Sequence, residues 1–245
     1  KVRLVKQRPV NPAAYEPYLR GRYELYKLTE EGMRSGIEYF ERALAIDPGD
    51  ARYSSGLADA YVLLVQVANA VPVQEGMAKA GQYARRALVA DENSAEAHTS
   101  MAAALFFGGW NRKEAERHLL RAIQINPGYA VAHLMYSSVL CSQGRMSDAT
   151  EQDRLALELD PLSIIINWHA IGRLCEARRF DDALAIAHRA LALDPHSGAI
   201  QSQIFHIYEF KGDYAAALNV LEKYLPENEG GKERVAVIRR ATAAS

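Results

Sequence analysis

Small and apolar residues recur along this chain with a helical period, and the runs they form stop on one signal. Ala- and Leu-rich stretches end at Asp47-Pro48, Asn126-Pro127, Asp160-Pro161 and Asp194-Pro195, and a fifth ends at Asp91-Glu92, where Glu92 takes the place of the proline. Pro127, Pro161 and Pro195 are 34 residues apart, while Glu92 precedes Pro127 by 35 and follows Pro48 by 44. Twelve residues before the five stops stand Gly36, Ala80, Ala115, Ala149 and Ala183; five before them stand Ala43, Ala87, Ala122, Ala156 and Ala190. A sixth, looser copy ends near Glu229, with Ala217 and Tyr224 at the same offsets.

Two positions seven apart share one face of a helix, and small side chains there let a second helix approach closely. Upstream of each such helix an amphipathic segment ends in a turn signal such as Gly144-Arg145, Ala177-Arg178 or Gly212-Asp213. Each copy therefore predicts helix, tight turn, helix and stop. Proline ends the second helix because it has no N–H to donate and disfavours helical backbone at the residue before it. One such pair cannot bury its own apolar face, so the copies must stack.

The 34-residue period, the paired alanine columns and the closing proline resemble the tetratricopeptide repeat family. The likeness is clearest in Gly56-Leu57-Ala58-Asp59-Ala60-Tyr61 and in the run from Ala183 to Pro195, and it extends over roughly residues 12 to 225. It implies an all-α, right-handed α-solenoid of about six helix-turn-helix units closed by a C-terminal capping helix. The expected units lie near 12–48, 51–92, 95–127, 129–161, 163–195 and 197–225, preceded by a linker at 1–11 and followed at 226–245 by a breaker and the cap. The second unit carries ten extra residues, expected as a protruding loop between Leu64 and Ala78. The large aromatic residue the family places early in the first helix is replaced by His133, Asn167 and Gln201.

Composition narrows the partners. Lys and Arg number 29 against 30 for Asp and Glu, a net charge of −1 that argues against a nucleic-acid or anionic-membrane surface over the whole chain. No apolar run approaches the ~18 residues of a spanning helix. The chain starts at Lys1 without a signal peptide, which reads as a cut from a longer, cytoplasmic polypeptide. Cys141 and Cys175, 34 apart, are expected as buried thiols on neighbouring first helices, too far apart to bridge. The seven histidines contain no i, i+4 pair, and no phosphate loop, dinucleotide fingerprint or nucleophile elbow occurs. No catalytic, cofactor or metal residue is therefore expected.

The expected function is recognition. In the resembled family the first helices line a concave groove, and offsets from the last stops select its columns. Leu134, Ser138, Trp168, Gly172, His206 and Glu209 are the expected partner-binding residues, with Cys141 and Cys175 beside them. None is Lys or Asn, so the carboxylate clamp found in some family members is not expected. The groove would take a protein or peptide segment with aliphatic or aromatic anchors. A homodimer through the C-terminal helix is a further expectation. The stretch Arg8–Tyr23 also resembles the entry of arrays that follow kinase, nucleotide cyclase or winged-helix domains in bacterial signalling proteins, so the alternative reading is a regulatory module acting on its own upstream domain.

Overall fold

Each of the first five stops ends a helix. The structure, a computed structural model, describes residues 9–224 and 239. Among the described residues it contains no strand and these helices: α1 (Pro12–Tyr26), α2 (Glu30–Ile46), α3 (Ala51–Gln66), α4 (Val73–Ala90), α5 (Ala95–Gly109), α6 (Arg112–Ile125), α7 (Ala130–Ser142), α8 (Met146–Leu159), α9 (Ile164–Glu176), α10 (Phe180–Leu193), α11 (Gly198–Lys211) and α12 (Tyr214–Tyr224). The expected capping helix lies outside the described residues. The chain divides into two bodies, Lys1–Leu159 and Asp160–Ser245.

Local chemistry places the helix ends. Asn11, Thr29, Asp50, Ser94, Asn111 and Ser163 cap α1, α2, α3, α5, α6 and α9, each accepting a backbone N–H of the first turn. Such caps contribute about 1 kcal/mol each. At the other end, Asp47, Asn126 and Asp194 leave helical backbone because a proline follows. Asp91 does the same without one, and its carboxylate accepts the Asn93 N–H at 2.9 Å. Asn126 and Asp194 make the same side-chain turn to Gly128 and His196, so the Asx side chain can end the helix where proline is missing.

A second repeated device explains the replaced aromatic. Six residues past successive stops, His98, His133, Asn167 and Gln201 reach back to the carbonyl oxygens of Glu92, Pro127, Pro161 and Pro195 at 2.9–3.1 Å. The polar side chain ties the start of one hairpin to the end of the previous one. The turn inside each hairpin, meanwhile, passes through one left-handed residue: Leu28, Asn69, Trp110, Gly144, Arg178 or Gly212. Only two of these are glycine, so the other four turns carry some backbone strain. The ten extra residues form only in part the longer loop expected between Leu64 and Ala78: the connection 67–72 has six residues where the other hairpin turns have two or three, and the rest of the insertion lengthens α3 and α4.

In the first body the odd helices touch one another in succession, α1 with α3, α3 with α5 and α5 with α7, whereas α2, α4 and α6 each lie between odd neighbours. The odd helices thus form the tighter layer. The alanine columns fill the seams: Ala43, Ala80, Ala87, Ala115, Ala122, Ala149 and Ala156 are buried. Phe40 of α2 is a wedge between α1 and α3, where a Cβ added at Gly21 or Gly56 would come within 2.8 Å of its ring. In the second body α9 packs on α10 and α11, and α11 on α12, with Ala183, Ala190 and Ala217 buried.

Candidate functional site

The odd layer of the first body carries a polar cluster that joins three helices. Arg22 on α1 donates to Asp59 on α3 at 3.1 Å, and Ser100 on α5 donates to the other carboxylate oxygen of Asp59 at 2.6 Å. One carboxylate therefore joins three successive odd helices. The Arg22 and Asp59 side chains remain 23% and 25% exposed, so solvent reaches the cluster. Burial pushes the Asp59 carboxyl up, opposed by Arg22 and by the Ser100 hydroxyl. Burial also works against the charge on Arg22, but Asp59 and the surrounding tyrosines outweigh it and its pKa is raised. The attraction of Arg22 and the Ser100 hydrogen bond thus offset part of the cost of burying the carboxylate.

Tyrosine surrounds this centre. Tyr18 of α1 packs its ring against Phe40 and Tyr53, with centroids 5.8 and 5.6 Å away. Arg22 lies over the Tyr26 ring and Arg52 over the Tyr15 ring. Tyr129, at the start of α7, is half-buried, and its hydroxyl is held well above the ordinary range by burial and then by the charge of Asp59. Burial likewise raises Tyr18, whose hydroxyl feels Arg22, Asp59, Glu96 and Arg52. Glu96 stands one turn before Ser100 on the same face of α5, in the first turn of the helix, and its carboxylate accepts the Ser94 hydroxyl at 3.1 Å. Arg52 is committed to Asp50, with its guanidinium bonded to both carboxylate oxygens.

The residues expected from sequence fall differently. Leu134 and Ser138 lie on α7 of the first body. Leu134 is only 3% exposed, so it packs the interior and offers nothing to a partner, because its place on α7 faces neighbouring helices. The Ser138 hydroxyl donates to the Leu134 carbonyl at 3.4 Å. Trp168 and Gly172 stand one turn apart on α9, both half-exposed, and a Cβ added at Gly172 would meet nothing within 4 Å. His206 and Glu209 pair on the neighbouring α11 at 3.0 Å, their side chains 38% and 33% exposed. Cys141 and Cys175 form no disulfide and are half-buried rather than buried, and the Cys175 thiol is pushed up by burial and by Glu176. Among the described residues no three His, Cys, Asp or Glu side chains gather to hold a metal ion, and no helix is long and apolar enough to cross a membrane.

The Arg22, Asp59 and Ser100 cluster lies outside the regularly spaced last three units and joins residues 37 and 41 positions apart, so no single repeat shows it. A signal was present. Asp59 is the one charged residue in the run from Ser54 to Val65, and a lone carboxylate within an apolar helix needs a partner.

Within each body, helical hairpins stacked in chain order define an all-α helical repeat. Residues 174–239 match the model of the tetratricopeptide repeat family. Among solved structures the chain is similar to a thermophilic TPR protein of Thermus thermophilus, with a TM-score of 0.58, 21% identity, and coverage of 84% of this chain and 99% of that one. It is also similar to PilF of Pseudomonas aeruginosa, with a TM-score of 0.51, 17% identity, and coverage of 91% and 97%. Identities this low speak to the fold alone. No curated protein matches the sequence. The fold is one that generally serves protein–protein interaction rather than catalysis.

Proposed function

We propose that the protein is an interaction scaffold that holds an extended peptide segment of a partner on its odd helices. The observation that carries this reading is the Arg22, Asp59 and Ser100 cluster with its tyrosines. It offers guanidinium donors, carboxylate acceptors and phenol groups on a face that solvent reaches. A peptide backbone presents both donors and acceptors, and tyrosine rings give contact area at low cost in side-chain entropy. In the second body the open ground at Gly172 beside Trp168, with the His206 and Glu209 pair on the adjoining helix, is the corresponding face.

Selection of binders from a random peptide library on the purified chain, followed by calorimetry on synthetic peptides, tests this. Tyr18→Phe and Tyr129→Phe keep the rings and remove the hydroxyls, and Trp168→Ala opens the second face. At least one of the three should weaken binding by about tenfold, a 1.4 kcal/mol effect, without moving the melting temperature. Recovery of no peptide, or binding indifferent to all three, would overturn the proposal.

A further inference from the structure

Helix α1 carries an apolar stripe that faces solvent. Leu19, Tyr23 and Tyr26 follow one another at spacings of four and three, which sets them on one side of the helix, and they are 50%, 66% and 40% exposed. Helix α1 packs on α2 and α3, and its buried side is formed by Ala14, Gly21 and Leu25.

The later odd helices show what such a stripe receives. Leu19, Tyr23 and Tyr26 stand nine, five and two residues before the left-handed Leu28. Met101, Leu105 and Gly108 stand at the same distances before Trp110, and Met135, Val139 and Ser142 before Gly144. In α5, Met101 and Leu105 pack with Ala84 of α4, and a Cβ added at Gly108 would lie 2.8 Å from Met77 of α4. In α7, Met135 and Val139 share a core with Ala115 and Leu119 of α6, and the Ser142 hydroxyl accepts from Arg112 of α6 at 3.0 Å. The preceding even helix thus covers these positions in α5 and α7. In α1 the same positions carry a leucine and two tyrosines, and they stay exposed.

The charges beside the stripe say which helix fits it. Glu16, Arg20, Glu24 and Lys27 alternate in sign along α1, and each acid is paired with the base that follows it, Glu16 with Arg20 at 2.8 Å and Glu24 with Lys27 at 2.7 Å. Read backwards, the order exchanges every sign. A second α1 laid antiparallel along the stripe therefore sets Glu16 beside the partner's Lys27 and Arg20 beside the partner's Glu24, with Tyr23 close to the two-fold axis. A parallel arrangement would bring like charges together.

We infer that the chain forms a homodimer through antiparallel contact of α1 with α1, the second copy taking the place that the preceding even helix holds on α5 and α7. The inference goes beyond the peptide-binding reading and does not depend on it, since Leu19 and Tyr23 have no part there. Helix α1 has 15 residues and is about 22 Å long, so the contact is smaller than a standard interface and the dissociation constant belongs in the micromolar range.

Sedimentation velocity on the full chain over a concentration series provides the test. The weight-average sedimentation coefficient should rise from the monomer toward the dimer value. Tyr23→Glu, at an exposed position, should leave the circular dichroism and the melting of the dilute chain unchanged and weaken association at least tenfold. Glu16→Lys alone and Lys27→Glu alone should each weaken it severalfold, because each places like charges together twice across the two-fold axis. The two changes in one chain should bring association back toward the wild-type value. A chain that stays monomeric at about 1 mM would overturn the inference. So would a dimer indifferent to Tyr23→Glu, or Glu16→Lys and Lys27→Glu effects that simply add. Peptide binding by a monomeric chain would leave the scaffold function standing.

Discussion

At the residue scale, the polar tie between hairpins shows how one position can be filled by different chemistry. Carbonyl oxygens only accept, so His98 Nε2 carries the hydrogen toward Glu92, and in the neutral ring His98 Nδ1 accepts the bond from His118 Nδ1 at 2.8 Å. Burial favours the neutral form of both imidazoles. His118 is lowered to about 4 by burial and by His98, and His98 is lowered by burial. Depressed values mean that the unfolded chain takes up protons first as pH falls. Stability from this pair is complete above about 6.5 and is lost as pH drops toward the folded value. His133 makes the equivalent bond to the Gln152 carboxamide, nine residues before the next stop just as His118 is. His118→Gln should therefore preserve the melting temperature at pH 7.5 and reduce its fall between pH 7.5 and pH 5. Thermal melts at both pH values check this, and an unchanged acid sensitivity would assign it to other groups such as His169, itself lowered to about 4 by burial.

At the element scale, the helices are held by absence of bulk as much as by apolar area. Ala115 on α6 is fully buried, and the seam around it is already filled. Ala115→Leu inserts three carbons there and should destabilise by about 1–3 kcal/mol, whereas the same change at exposed Ala90 should fall within about 0.5 kcal/mol. Urea unfolding of the two variants decides it, and equal midpoints would mean the seam is looser than the packing indicates. The glycine side of the column is tighter still, since a Cβ at Gly36 would come within 2.6 Å of Leu25. The alanine columns were legible in the sequence because a repeating contact selects the same small residue at a fixed interval. The entry of most of the extra residues into α3 and α4 was not, because helix propensity alone does not say whether added residues extend a helix or leave it.

At the scale of the whole molecule, the first body has its own core, running from Ala14 and Phe40 through Leu64 to Leu119 and Leu140. A fragment of residues 1–159 should then fold by itself, with helical circular dichroism and a cooperative thermal transition. A fragment that melts without cooperativity would show that its hairpins depend on residues after Leu159. The sequence by itself determined the period, the stops, the small-residue seams and hence the all-α repeat, since these are local patterns repeated often enough to be read without coordinates. Only tertiary structure decided that Leu134 is interior and that Arg22, Asp59 and Ser100 meet. Those relations join residues 37 and 41 positions apart, and whether a side chain faces a neighbour or water depends on which helices pack around it, a property that no single helix carries in its own sequence.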